Sequence, residues 1–259
     1  MEENMKKGRI SIKILIIMLL SIIILNCNTV KTKTITTSKG FLIDDTTLVD
    51  YIGHKKIITI PMGITHIGPT AFAFRELTSV TIPDSVISIG DGAFVFNFLT
   101  SVTIPDSVIS IGEGAFRENN LTNVTIPDSV ISIGEDAFSN NKLTSVTIGN
   151  SVISIGDGAF FYNNLTSITI GNSVTSIGSE AFAHNKLTNV TIPDSVTSIG
   201  EDAFANNQLT SVTIPNSVNA IGRQAFAGNQ LNGKVIIPNA SVVDIGWNAF
   251  ENEYMLLEE

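Results

Sequence analysis

One cysteine, one tryptophan, three tyrosines and three histidines are all that these 259 residues contain of those types. A lone thiol excludes a disulfide framework and a thiolate metal cluster. His54, His66 and His184 stand too far apart in the chain to suggest a shared metal, and no H-E-x-x-H pair occurs. Charge is sparse too: 15% of residues are charged, with a net of -9. An acidic chain repels phosphate, so nucleic acid is not an expected partner. Long apolar runs are also missing. The longest, Ile14 to Leu25 with Ser21 as its one polar member, is twelve residues. As a helix it covers about 18 Å, short of the roughly 30 Å hydrocarbon layer, so it is not a spanning segment.

Lys6, Lys7, Arg9 and Lys13 precede that run, and Ile24-Leu25-Asn26-Cys27 ends it. A basic stretch followed by a short apolar one is the pattern of an export signal. The ending resembles the lipobox of bacterial lipoproteins, with Asn26 closer to the looser form of spirochaetes. That resemblance implies cleavage before Cys27, lipid attachment at Cys27, and anchoring at the outer membrane or cell surface. Removal of residues 1–26 leaves a chain near -11, so attraction to anionic lipid contributes nothing and the acyl chains would hold the protein. Residues 27–40 are rich in Thr and Lys without a helical stripe, as expected of a lipidated cysteine followed by a flexible tether.

What is present in abundance is repetition. Phe72, Phe94, Phe116, Phe138, Phe160, Phe182, Phe204 and Phe226 each follow Ala and lie 22 residues apart, and Phe250 follows after 24. A fixed period of this size means a solenoid, in which one coil cannot bury its apolar face without neighbours. In the coil from Leu99 to Phe116, Val102 and Ile104 alternate with Ser101 and Thr103, the period of a half-buried strand. Pro105 has no N–H to add to a ladder and ends it; Gly149 and Gly171 replace the proline in two coils. Val108 to Ile111 is a second short apolar run, and Ala115-Phe116 is expected to begin a helical or 3₁₀ turn. Leu, Val, Ile, Val, Ile, Ala and Phe of each coil are expected inside.

The consensus L-T-x-V-T-I-P-x-S-V-x-x-I-G-x-x-A-F resembles the surface leucine-rich repeats of the BspA or treponemal type, over residues 41–250. The resemblance implies a right-handed solenoid with a parallel β-sheet on one face and short β, 3₁₀ or helical turns on the other. It further implies a capping hairpin over 41–56, about nine coils over 57–250, and export to the cell surface. In better-known members it implies adhesion to host extracellular or plasma proteins or to other cells. Residues 251–259 stop short of another strand and are read as a tail or cap.

Stacking in register turns equivalent residues into columns. Thr59, Thr81, Thr103, Thr125, Thr147, Thr169, Thr191 and Thr213 line the outer face of the strand, beside Ser79, Ser101, Asn123, Ser145, Ser167, Asn189 and Ser211. Ser101, Thr103, Asn123, Thr125, Ser145, Thr147, Ser167 and Thr169 are therefore candidate binding residues. A soluble exposed sheet needs the same hydroxyls, so a purely structural role fits as well. An asparagine column from Asn97 to Asn229 is expected to build turns, since asparagine tolerates left-handed backbone and bonds neighbouring amides. An acidic column (Asp91, Glu113, Glu135, Asp157 and Glu201) is expected in solvent, without the loop spacing of a calcium site. Aromatic residues after the core phenylalanines add Phe96, Phe98 and Tyr162 as a candidate recognition patch, and local packing between adjacent turns fits them equally well. No P-loop, G-x-S-x-G elbow or singular polar residue points to catalysis, so no enzyme and no cofactor is expected. Self-association as an envelope component, or glycan binding by the Thr/Ser face, fits the same array.

Overall fold

The computed structural model describes residues 35–232, 235–237, 244–250 and 255–257. The chain divides into two compact units, Met1–Ile35 and Thr36–Glu259, and the second carries the repeats. That unit is a β-solenoid of about nine turns, with no helix among the described residues. In the coil that starts at Leu121, Leu121, Val124, Ile126, Val130, Ile133, Ala137 and Phe138 are all at most 5% exposed. These are the seven inward positions of the consensus.

The core phenylalanines form a continuous stack. Successive rings from Phe72 to Phe250 lie 4.9 to 5.4 Å apart, with interplanar angles of 2° to 13°. Register forces this geometry, because coils on a parallel ladder place like atoms about 4.8 Å apart. At the N-terminal end, strands Phe41–Asp44 and Thr47–Tyr51 pair antiparallel, and the second pairs parallel with His66–Ile67. Phe41 and Tyr51 pack their rings on Phe72 at 6.3 and 5.6 Å, extending the stack over its open end.

The continuous sheet is not the one the Val-Thr-Ile run suggests. Twelve strands join in one sheet, and from His66–Ile67 onward they are two-residue segments such as Ser110–Ile111 and Ser132–Ile133 from the second apolar run. The Val-Thr-Ile run forms three separate ladders: Ile57–Thr59 with Ser79–Thr81, Asn123–Ile126 with Ser145–Ile148 and Ser167–Thr169, and Val212–Thr213 with Val235–Ile237 and Met255–Leu257. The last of these corrects the expectation that the tail stops short of a strand. Ser101–Ile104 and Asn189–Ile192 belong to no ladder. Val102 and Val190 are only half-buried, as is Ile168 on the last strand of the middle ladder, whereas Val80, Val124 and Val146 are buried.

The residue after the strand contributes to this difference. A Cβ on Gly171 would meet the carbonyl oxygen of Gly149, and one on Gly149 would meet the backbone of Pro127. Glycine thus lets the middle coils approach until the ladder closes. Proline stands at both open coils, Pro105 and Pro193. Coils ending in Pro61 and Pro83 still pair, so proline permits the opening without forcing it. Gly171→Ala is expected to cost about 1–3 kcal/mol by overpacking, seen as a lower chemical-denaturation midpoint. A midpoint equal to wild type would show that the close approach is dispensable.

The Ala-Phe segment makes β-turns instead of the expected helical or 3₁₀ turn. Ala115 N donates to Gly112 O and Arg117 N to Gly114 O, while Gly114 N, Phe116 N and Glu118 N donate to Glu135, Ala137 and Ser139 of the next coil. Alternate amides leave the coil, so no i→i−4 series can form. Left-handed backbone two residues before and two after the phenylalanine, at Gly114 (φ 55°) and Glu118 (φ 56°), fixes the zigzag.

Candidate functional site

The asparagine column lies inside the molecule and builds the turns through side-chain bonds, as expected; the left-handed backbone expected of it falls on the preceding residue instead. Asn97, Asn119, Asn141, Asn163, Asn185 and Asn207 are 3% to 7% exposed. Asn141 Nδ2 donates to the carbonyls of Phe116 (2.9 Å), Phe138 (3.1 Å) and Ser139 (3.2 Å), and its Oδ1 accepts from Leu121 N at 3.0 Å. One amide thereby reaches four backbone groups, of which Leu121 N and the carbonyls of Phe116 and Phe138 would otherwise be left unpaired, while Ser139 O also accepts from Glu118 N. The left-handed residue is the one before it: Phe96, Glu118, Asn140, Tyr162, His184 and Asn206 all have φ between 52° and 56°, as does Phe74 at 57° in the coil before the column begins.

Carboxylates and turn serines also work between coils. Asp91 Oδ1 accepts from Glu113 N at 3.0 Å and Asp157 Oδ1 from Ser179 N at 2.7 Å. Ser107 Oγ donates to Val86 O at 2.6 Å, and Ser129 Oγ to Val108 O at 2.7 Å. Asp91, Glu113, Glu135 and Asp157 are exposed. Arg223 bonds Glu201, which raises its pKa. The Asp202 carboxyl stands above its ordinary range because burial, then the Glu201 charge, disfavour ionisation.

With those groups committed, two surfaces remain. On the first, every predicted residue is exposed: Ser101, Thr103, Asn123, Thr125, Ser145, Thr147, Ser167 and Thr169. A further threonine column beside them is tied down, Thr144 Oγ1 donating to Thr122 O and Thr166 Oγ1 to Thr144 O at 3.3 and 3.2 Å. Among the described residues the hydroxyls of Thr103, Thr125, Thr147 and Thr169 have no protein partner. In the paired ladder, Thr125, Thr147 and Thr169 are direct neighbours in register. The structure places Ser101, Thr103, Asn123 and Thr125 along a cleft of about 450 Å³ beside the unpaired coil at 101–104. An equivalent cleft of about 320 Å³ lies four coils on, at Asn189, Thr191, Ser211 and Thr213. Nothing in the repeat consensus distinguishes these two coils from those that pair, so the clefts were invisible in the sequence.

The second surface is aromatic. Phe74 and Phe96 stack at 4.7 Å and 13°, and with Phe98 they line a groove of about 450 Å³ that also holds Glu76, Glu118 and Asn120. A hydrogen bond from Lys56 at 2.6 Å, then its charge, holds the Glu76 carboxyl below the usual range. Tyr162 does not join this group. It sits three coils on with Phe161 and His184, at ring distances of 5.8 and 5.9 Å. Sequence reading also passed over a column of half-exposed isoleucines, Ile87, Ile109, Ile131 and Ile153, 38% to 49% exposed. Their spacing of 22 was the available signal. Among the described residues no group of three or more His, Cys, Asp or Glu side chains is placed to hold a metal ion. Cys27 lies outside the described residues.

A family profile described as the BspA type leucine rich repeat region, in six copies, matches residues 50–164 and 153–258. Among solved structures, a leucine-rich repeat protein from Bacteroides ovatus superposes with a TM-score of 0.61 at 25% identity, over 85% of this chain and 67% of the other. The leucine-rich repeat protein of T. pallidum superposes with a TM-score of 0.53 at 22% identity, over 75% of this chain and 89% of its own. Among curated proteins there is no significant match.

Proposed function

The chain belongs to the BspA-type leucine-rich-repeat family, and from that premise we propose that it is an exported, lipid-anchored surface protein that binds extracellular host or plasma proteins. Membership carries a repeat-based role in protein interaction in general terms. The single observation that supports the finer reading is the row of uncommitted, exposed hydroxyls at Thr103, Thr125, Thr147 and Thr169. Thr125, Thr147 and Thr169 stand in register over about 10 Å, with Thr103 across the cleft, and together they offer a partner many weak bonds at little desolvation cost.

Immobilised full-length protein is expected to capture matrix or plasma proteins saturably and, in solution, to compete with adhesion of the cells that display it. Neither capture nor competition would remove the adhesive reading. Placing tryptophan at Thr125 and Thr147 together is expected to weaken capture by about tenfold, as loss of a central contact does. Unchanged capture would move the site off this face. Cys27→Ser is expected to abolish incorporation of labelled palmitate and release the protein into the medium. Label retained on that variant would refute attachment at Cys27.

A further inference from the structure

We propose that the groove beside Phe96 is a seat for an arginine side chain of the partner polypeptide; this rests on the protein-binding reading above and names the chemistry of one contact. The first ground is the choice of phenylalanine at a position where every described coil needs left-handed backbone for its turn. Left-handed backbone is unfavourable for bulky L residues, whereas Asn and Gly adopt it readily. At the equivalent positions three coils use those cheaper residues, Asn140 (φ 52°), Asn206 (φ 55°) and Gly228 (φ 67°), while Glu118, Tyr162 and His184 share the costlier choice. Yet Phe74 (φ 57°) and Phe96 (φ 54°) hold the same conformation with side chains 67% and 45% exposed. The backbone serves the turn, but the two rings stand in solvent and lie outside the core. Strain of this kind concentrates where a surface has work to do.

The second ground is what surrounds the rings. Phe74 covers one face of Phe96 at 4.7 Å. On the other side of Phe96, the next coil presents Glu118 at the equivalent register position, and Glu118 lines the same groove with Phe98 and Asn120. A flat cation on the open face of Phe96 therefore meets an aromatic face on one side and a carboxylate on the other. Guanidinium suits both, since it stacks on rings and bonds carboxylate in a planar fork; an ammonium does only the second well. Glu76, at the far end of the groove, is already paired with Lys56 at 2.6 Å. Glu118 has no ion-pair partner among the described residues. The net charge of -9 favours a cationic ligand over an anionic one.

The test uses full-length protein and a fluorescein-labelled Gly/Ser peptide carrying two arginines, read by fluorescence polarisation. The same peptide with citrulline, which is flat and neutral, is the control. Arginine peptide is expected to bind at least about fivefold more tightly than citrulline peptide. Phe96→Asn and Glu118→Gln should each remove most of that preference. Because asparagine relieves the strained backbone, the melting temperature of Phe96→Asn should equal or exceed wild type, which separates lost binding from lost fold. No arginine preference in wild type, or full preference retained in both variants, would overturn the seat. So would a neutral oligosaccharide that occupies the groove and loses binding in Phe96→Asn. Matrix proteins captured normally by Phe96→Asn would sink the arginine contact alone. Absent capture by wild type, with arginine preference intact, would sink the broader reading alone.

Discussion

Phe138→Ala should destabilise the solenoid by about 3–5 kcal/mol, the range for a fully buried aromatic cut back to a methyl. Phe138 is 0% exposed, and its ring lies between those of Phe116 at 5.2 Å and Phe160 at 5.4 Å. The cavity left behind has no easy way to collapse. Phe138 N donates to Ala159 O and Phe116 N to Ala137 O, so backbone on both sides is pinned to its own coil spacing. The break also falls in the middle of a molecule whose coils are held only by their neighbours. Equilibrium unfolding in urea is therefore expected to separate into two transitions, one for coils on each side. Phe250→Ala is the comparison: Phe250 has one described ring neighbour, Phe226 at 5.3 Å, and is 5% exposed. It should cost less and leave the transition single. A loss at Phe138 below about 1 kcal/mol would mean that the stack follows from register without adding to stability.

Asn141→Leu should be nearly as damaging although it adds apolar surface to an apolar interior. Leucine is close to asparagine in size but brings no donor or acceptor. Leu121 N would lose its acceptor, and the carbonyls of Phe116, Phe138 and Ser139 would lose their donor. Each buried polar group left unpaired costs on the order of 1–3 kcal/mol, partly relieved where a carbonyl keeps a backbone partner. A net loss of about 3–5 kcal/mol is expected by chemical denaturation. Amide exchange gives the more local reading. Leu121 N–H should become strongly deprotected, while Leu187 N–H, held by Asn207 at 3.0 Å, should not. Unchanged exchange at Leu121 would show that the amide bridges are incidental to the turn.

Much of this protein was legible in one dimension. The 22-residue interval of Ala-Phe names the solenoid, and the alternation around Val124 and Ile126 picks out the residues that the structure buries. It also leaves Thr125 outside, as observed. These are properties of a single coil, since period-2 alternation and a turn at proline need no knowledge of the neighbour. The reading of Asn141 as a turn builder held for its amide bonds but missed its backbone and its burial, for the opposite reason. An asparagine near a turn is compatible with left-handed backbone, and only the carbonyl of Phe116, 25 residues earlier, reveals that its amide points inward.

The sequence by itself determined what each coil contains and which side of it faces in, because burial of a repeated apolar pattern has one solution once the period is known. The tertiary structure alone decided how tightly adjacent coils approach. That choice made the two-residue Ser-Ile segments the continuous sheet and left Ser101–Ile104 and Asn189–Ile192 outside any ladder. It also gathered Phe74, Phe96 and Phe98 into one groove while keeping Tyr162 apart. Hydrogen bonds between coils form or fail over a fraction of an ångström, and that distance is set by packing across the stack, which no coil encodes alone.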